Sequence, residues 1–136
     1  MIKTKDITVT RGQTMPILFT ARDQNGARKD ITGAAAYMAI RADMKVAPSV
    51  QITSVDPAPT GWRVGIVIAD QTGPNMGDFT ATLVPDDTQA LVALGASDPY
   101  LYDVWLVLAD GSRWPVVAQS RMPLDPEVTT IPTPTP

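Results

Sequence analysis

Asp6-Ile7-Thr8-Val9-Thr10-Arg11-Gly12-Gln13-Thr14 runs into Ile17-Leu18-Phe19-Thr20-Ala21-Arg22-Asp23-Gln24-Asn25-Gly26. Near the other end, Tyr100-Leu101-Tyr102-Asp103-Val104 leads into Ala109-Asp110-Gly111-Ser112 and closes on Glu127-Val128-Thr129. Each block reads strand, glycine-containing turn, strand, the way a chain of hairpins is written in sequence. Ile7 and Val9 alternate with Thr8 and Thr10, the period of two that gives a strand one buried face. Arg11-Gly12-Gln13 interrupts the pattern. A strand from Thr14 to Arg22 then sets Ile17, Phe19 and Ala21 on one face, and Asn25-Gly26 supplies the positive φ angles of a tight hairpin.

Between the two blocks the same grammar continues. Ile31-Thr32-Gly33 leads into a strand from Ala34 to Ala42 with Ala36, Met38 and Ile40 on one face, and Asp43 to Ser49 is a loop closed by Pro48. Val50 to Val55 is a short strand, and Asp56-Pro57-Ala58-Pro59-Thr60-Gly61 is a rigid connector. Trp62, Val64, Ile66 and Ile68 alternate cleanly and read as one strand. Gln71 to Gly77 is a loop, and Phe79, Ala81 and Leu83 mark the next strand. From Pro85, a cap at Asp or Thr and an acidic first turn at Asp86-Asp87 precede Leu91, Val92 and Leu94, with Gly95 as the stop: one helix of about two turns. Tyr102, Val104, Leu106 and Leu108 share a face of the strand from Tyr100 to Ala109, and Asp110-Gly111 turns it back into Arg113 to Met122. Beyond Pro123 the chain carries Pro126, Pro132, Pro134 and Pro136 alternating with threonine at the last residues, so an extended polyproline-type or disordered tail is expected.

Seven to nine short strands with one short helix make the expected fold all-β, an antiparallel immunoglobulin-like β-sandwich. The expected organisation is a sandwich over residues 1–124 and an extended arm rich in threonine and proline over residues 125–136. The 136 residues, 44% of them hydrophobic and 18% charged, suit one globular domain with a core of its own. Thirteen prolines and nine glycines fit short strands joined by turns. The net charge is −3, and the eleven lysines and arginines are scattered rather than gathered into a stripe that could track phosphates, so nucleic-acid binding is not expected. The first residues lack the apolar segment of a secretory signal, and no apolar run approaches the ~20 residues that cross a bilayer, so a cytoplasmically made protein without a membrane partner is expected.

Neither cysteine nor histidine occurs in the sequence. That removes disulfides, thiolate nucleophiles, the Ser-His-Asp arrangement and the commonest transition-metal ligands together. Asp23-Gln24-Asn25-Gly26 lacks the ligand ladder of a calcium loop and reads as a turn. Asp86-Asp87 reads as helix capping in preference to a catalytic carboxylate pair. Asp103 points away from the core by alternation, as a solvated or cross-strand-paired acid. Ser49, Ser54, Ser97, Ser112 and Ser120 have no nucleophile context. No catalytic, cofactor-binding or metal-ligating residue is assigned, and no enzyme activity, cofactor or small-molecule substrate is expected.

Trp105 and Val107 alternate out of phase with Val104, Leu106 and Leu108, which makes that strand apolar on both faces. Two explanations stand: the second face is covered within the chain, or it meets another subunit, where tryptophan and tyrosine are favoured anchors. Trp114, beside Pro115, extends the same patch on this reading.

With these residues in view, the chain resembles small immunoglobulin-like virion proteins of tailed bacteriophages and the N-terminal domain of phage baseplate upper proteins. Arg11-Gly12-Gln13-Thr14, Asp23-Gln24-Asn25-Gly26 and Asp30-Ile31-Thr32-Gly33 are similar to that family's opening segments in order and spacing. Tyr100-Leu101-Tyr102-Asp103-Val104, Asp110-Gly111 and Val128-Thr129 are similar to its closing ones. The similarity reaches about Thr130. Asp98-Pro99 departs from it, standing where the family has a glycine before the tyrosine strand, and the Thr-Pro tail goes beyond the family's usual ending.

The resemblance implies a structural module that docks into a phage particle through other phage structural proteins and further copies of itself, located in the virion at the tail or baseplate, the neck or the head. The candidate interface is Trp105, Val107 and Trp114 on the sandwich with Val128 and Ile131 on the arm. The alternative is a carbohydrate- or surface-binding sandwich in which Trp62, Trp105 or Trp114 stacks on sugar rings.

Overall fold

Alternation of apolar and polar residues becomes strand wherever a neighbouring strand can take up the backbone hydrogen bonds. The computed structural model describes residues 6–10, 12–41, 48–90 and 100–125. Among them the elements run β1 (Val9–Thr10), β2 (Met15–Thr20), β3 (Ala35–Arg41), β4 (Val50–Thr53), β5 (Arg63–Val64), β6 (Ile66–Ile68), β7 (Asp78–Leu83), α1 (Pro85–Ala90), β8 (Tyr100–Val107), β9 (Arg113–Met122) and β10 (Leu124–Asp125). The protein is mostly β, with antiparallel and mixed sheets and one short helix. One sheet has the order β5-β4-β3-β8-β9, a second β2-β7-β6, and β1 pairs with β10.

The inner faces of the two larger sheets meet in a single core. Ala36, Met38, Ile40, Ile52, Tyr102, Val104 and Leu106 come from the first and Ile17, Phe19, Ile66, Phe79, Ala81 and Leu83 from the second, all buried. Phe19 and Phe79 lie opposite each other in the β2–β7 register and stack with ring centroids 5.5 Å apart. The faces read from β2, β3, β7 and β8 are the faces that are buried, because each large side chain placed there removes apolar surface worth about 1.5–3 kcal/mol from water.

Several expectations are corrected. The sheets are not wholly antiparallel: β1 with β10 and β4 with β5 run parallel. The first quoted block is not a hairpin between its two strands, since β1 pairs with β10 and β2 with β7. The Asp23–Gly26 turn is real but short, flanked by a single bridge between Arg22 and Arg28. Only Gly26 there has positive φ (83°), with Asp23 Oδ1 accepting the N–H groups of Asn25 and Ala27 at 2.8 and 3.0 Å. That is a type I turn closed by a glycine bulge, which asks no left-handed conformation of Asn25. The chain then crosses to the other sheet as β3.

The clean alternation from Trp62 to Ile68 is not one strand either. It breaks at Gly65, where the chain leaves the edge of the five-stranded sheet as β5 and joins the three-stranded sheet as β6. Gly65 donates to Thr53 O at 3.0 Å in one sheet and accepts from Thr82 N–H at 2.9 Å in the other. A Cβ at Gly65 would stand 2.6 Å from an Ile52 methyl carbon, so the switch needs a residue without a side chain.

The residue ahead of α1 is Val84, in place of the expected aspartate or threonine cap. Asp87 reaches back to accept the Val84 N–H at 2.9 Å while Val84 O accepts the Asp87 N–H at 2.9 Å, a reciprocal closure of the first turn. Leu91, Val92, Leu94 and Gly95 lie outside the described residues. At the other margin, Pro123 does not open a free tail: its carbonyl accepts Val9 N–H at 2.9 Å, and β10 follows it.

Candidate functional site

The outward-facing residues of β3 and β8 decide the exposed side of the five-stranded sheet. Register sets Ala35 opposite Val107, Tyr37 opposite Trp105 and Ala39 opposite Asp103. On the far side of β8, Pro115 faces Trp105 and Arg113 faces Val107. The β8–β9 ladder slips between Tyr102 and Trp105, and Asp103 falls in that slip; such irregularities re-aim the side chains beside them. The connector before β5 brings in one more ring. Trp62 donates its N–H to Pro59 O at 3.0 Å and meets Tyr37 edge to face, with centroids 5.2 Å apart.

The result is a cleft of about 430 Å³ lined by Tyr37, Ala39, Trp62, Asp103, Trp105, Val107 and Arg113. Small Ala39 forms the sheet floor and three aromatic rings stand around it. Trp105 is 39% exposed, and its indole N–H points to Asp103 Oδ2 at a long 3.3 Å. Asp103 is therefore half-buried at the cleft and bonded to a neighbour on its own strand. The two-faced apolar strand is thus partly covered within the chain, by Tyr37 and Trp62, and partly open.

Trp114 does not extend this patch. It stands opposite Leu106 in the β8–β9 pair, on the inner side of the sheet, packed against the core, with Lys29 Nζ 4.5 Å above its ring. The hairpin register at the Asp110-Gly111 turn pairs Trp105 with Pro115 and Leu106 with Trp114, so Trp114 takes the face of Leu106, opposite to that of Trp105. Val128 and Ile131 lie outside the described residues. Tyr37, which sits between two alanines, is not among the expected site residues, and Trp62, read into a strand through Ile68, is expected at a site only under the sugar-binding alternative. The usable signal was the Ala35-Tyr37-Ala39 series, apolar out of phase with Ala36, Met38 and Ile40 in the same way as Trp105.

Leu18 and Val67, 55% and 72% exposed, form a second apolar spot on the outer side of the three-stranded sheet, both level with Thr80. The acids outside the cleft have local duties. Asp30, Asp70 and Asp110 each accept the N–H and hydroxyl of the residue two further on, Thr32, Thr72 and Ser112, and those bonds hold their carboxyls below the usual range. Asp87, besides closing the helix start, pairs with Arg63, whose guanidinium also donates to Thr82 O at 3.0 Å. Buried Asp78 accepts from Thr20 Oγ1 at 2.6 Å and Arg28 Nη1 at 2.9 Å. No three acidic residues converge on one point among the described residues, and no helix among them is long and apolar enough to cross a membrane.

No family model and no curated protein matches this chain.

Proposed function

We propose that this chain is a non-enzymatic structural component of a tailed-phage virion, placed at the tail or baseplate, the neck or the head, and that it acts by docking onto other proteins as an immunoglobulin-like sandwich. The strand orders support the fold. β2-β7-β6 follows the B-E-D order and β5-β4-β3-β8-β9 the C″-C′-C-F-G order of a variable-type immunoglobulin domain. Tyr102, buried near the start of β8 and two residues before inward-facing Val104, has the placement of the tyrosine at the corner entering strand F.

The observation that carries the docking role is the aromatic cleft. Tyr37, Trp62 and Trp105 stand outside a core that is complete without them, and rings of this kind are the residues that anchor interfaces. The test is quantitative mass spectrometry on gradient-purified particles. A copy number in fixed ratio to a major structural protein is the expected result, and absence from intact particles overturns the reading. The ratio also distinguishes a head protein, near the capsid subunit in number, from a tail or neck protein at a small multiple of the tail symmetry.

The same cleft favours a second reading, a carbohydrate-binding module, because aromatic faces beside Asp103 and Arg113 suit a sugar ring. Tryptophan fluorescence against a glycan panel tests it; a flat response across the panel removes it.

A further inference from the structure

We infer that the outer face of the five-stranded sheet pairs with the same face of a second copy of this chain, about a two-fold axis that lies along the Tyr37–Trp105 row and runs across the strands. This rests on the docking reading above and names its partner.

Cross-strand partners point their side chains to the same side of a sheet. Val64 on β5 is level with Thr53 on β4, and Thr53 with Tyr37 on β3. Tyr37 is level with Trp105 on β8, and Trp105 with Pro115 on β9. These five residues make one uncharged row across the whole sheet, about 19 Å long. Val64 and Trp105 in it are exposed, and Trp62 packs beside Tyr37. Ala35 and Ala39, on either side of Tyr37, are small enough to leave room for the rings of an opposing copy.

The rows on the two sides of this one carry opposite charges. Asp103 stands with Ala39 in one, and Arg113 with Val107 and Ala35 in the other. Neither Asp103 nor Arg113 is in an ion pair among the described residues. One step further out, Arg41 and Arg121 flank Leu101 on the Asp103 side, and the hairpin turn carries Asp110 on the Arg113 side. The sign of charge therefore inverts across the aromatic row. A two-fold axis along the strands would lay acid row on acid row and basic row on basic row. An axis along the aromatic row reverses the strands and keeps Trp105 over Trp105 and Tyr37 over Tyr37. It lays the Asp103 row of each copy on the Arg113 row of the other, twice by symmetry. Facing like charges oppose association and facing unlike charges fix register, so the charges select this axis. An uncharged row with inverted signs on its flanks is what a self-complementary face requires, and a partner of different sequence does not call for it.

The face is also large enough. Five strands side by side and the eight residues of β8 give a footprint of roughly 24 Å by 26 Å. That is about 600 Å² per copy and about 1,200 Å² for the pair, the low end of stable protein interfaces. Sheets that pack face to face lie about 10 Å apart, a gap that an arginine side chain crosses to reach a carboxylate on the other side.

The experiment uses the full chain, with sedimentation equilibrium as the readout and circular dichroism and melting to confirm folding. Wild type is compared with Trp105→Ala, with Asp103→Arg, with Arg113→Asp, and with an equal mixture of the last two. The expected result is a wild-type dimer whose association each single variant weakens by about 30-fold or more. The mixture is expected to associate within about threefold of wild type. In it every reversed charge meets an opposite one across the axis, a rescue that damage to either fold would not give. Val67→Asp, on the other sheet, leaves association intact. The inference is overturned by a wild type that stays monomeric up to about 0.5 mM, by a dimer indifferent to the variants, or by a mixture that does not regain association. A face that takes up an oligosaccharide while the chain stays monomeric overturns it as well. A monomer found in particles leaves docking onto other proteins standing, and a dimer absent from particles leaves the pairing as measured.

Discussion

Asp78 stands opposite Thr20 at the end of the β2–β7 ladder, and the arrangement ties a carboxylate to pH in a definite direction. The Thr20 hydroxyl, and beyond it the Arg28 guanidinium, hold its carboxyl below the ordinary value against the opposing effect of burial. A group whose folded pKa is lowered stabilises the fold above its unfolded value, here 3.8, and that contribution disappears as pH falls through the folded value. Asp78→Asn is expected to cost about 1–3 kcal/mol near neutrality, since it leaves Arg28 without its counter-charge. Urea denaturation of both proteins from pH 7 to pH 2.5 checks this: the difference should shrink in acid, and a constant difference would contradict it. Little of this was legible in sequence. Asp78 reads as the polar start of a strand, and its partners are 50 and 58 residues away. Asp110, by contrast, was legible, because its partner is two residues on.

At the scale of elements, what the sequence conveys is which residues face inward, and what it withholds is which sheet they belong to. Ile17 and Phe19, Met38 and Ile40, Phe79 and Ala81 all kept the face their alternation assigned. From Trp62 to Ile68 the alternation continues across a change of sheet, because a period of two is satisfied equally by one strand or by two short ones meeting at Gly65. The candidate site suffered from the same blindness. Trp105 was visible as an out-of-phase apolar residue, but its neighbour Trp62 arrives from the connector before β5, and Trp114 takes the inner face through the hairpin register that pairs it with Leu106. The loop before β7 supplies a sharper test of element-level geometry. Gly77 has φ +87°, and a Cβ there would lie 2.7 Å from Ala21 O and 3.0 Å from Lys29 O, both backbone atoms. Gly77→Ala is expected to lose about 2 kcal/mol or more through strain and clash. Gly73→Ala, in the same loop with open space around the new methyl group, should stay within about 0.5 kcal/mol of wild type. Chemical denaturation of the pair decides it, and equal losses would mean the loop is not held as described.

For the molecule as a whole, the first and last described strands lie side by side and run the same way. Ile7 N–H donates to Arg121 O at 3.1 Å, Val9 N–H to Pro123 O at 2.9 Å, and Asp6 Oδ1 accepts Arg121 N–H at 3.1 Å. Because β1 and β10 are parallel, the N-terminal end of one and the C-terminal end of the other leave the pair in opposite directions. Tension applied through the two flanks of the domain would therefore act along these strands, loading their hydrogen bonds together in shear instead of peeling them one at a time. Single-molecule stretching between residue 6 and residue 125 should meet one high rupture force, whereas pulling across the antiparallel β8–β9 hairpin should unzip at a lower one. A module secured at its flanks would carry mechanical load through its own edge.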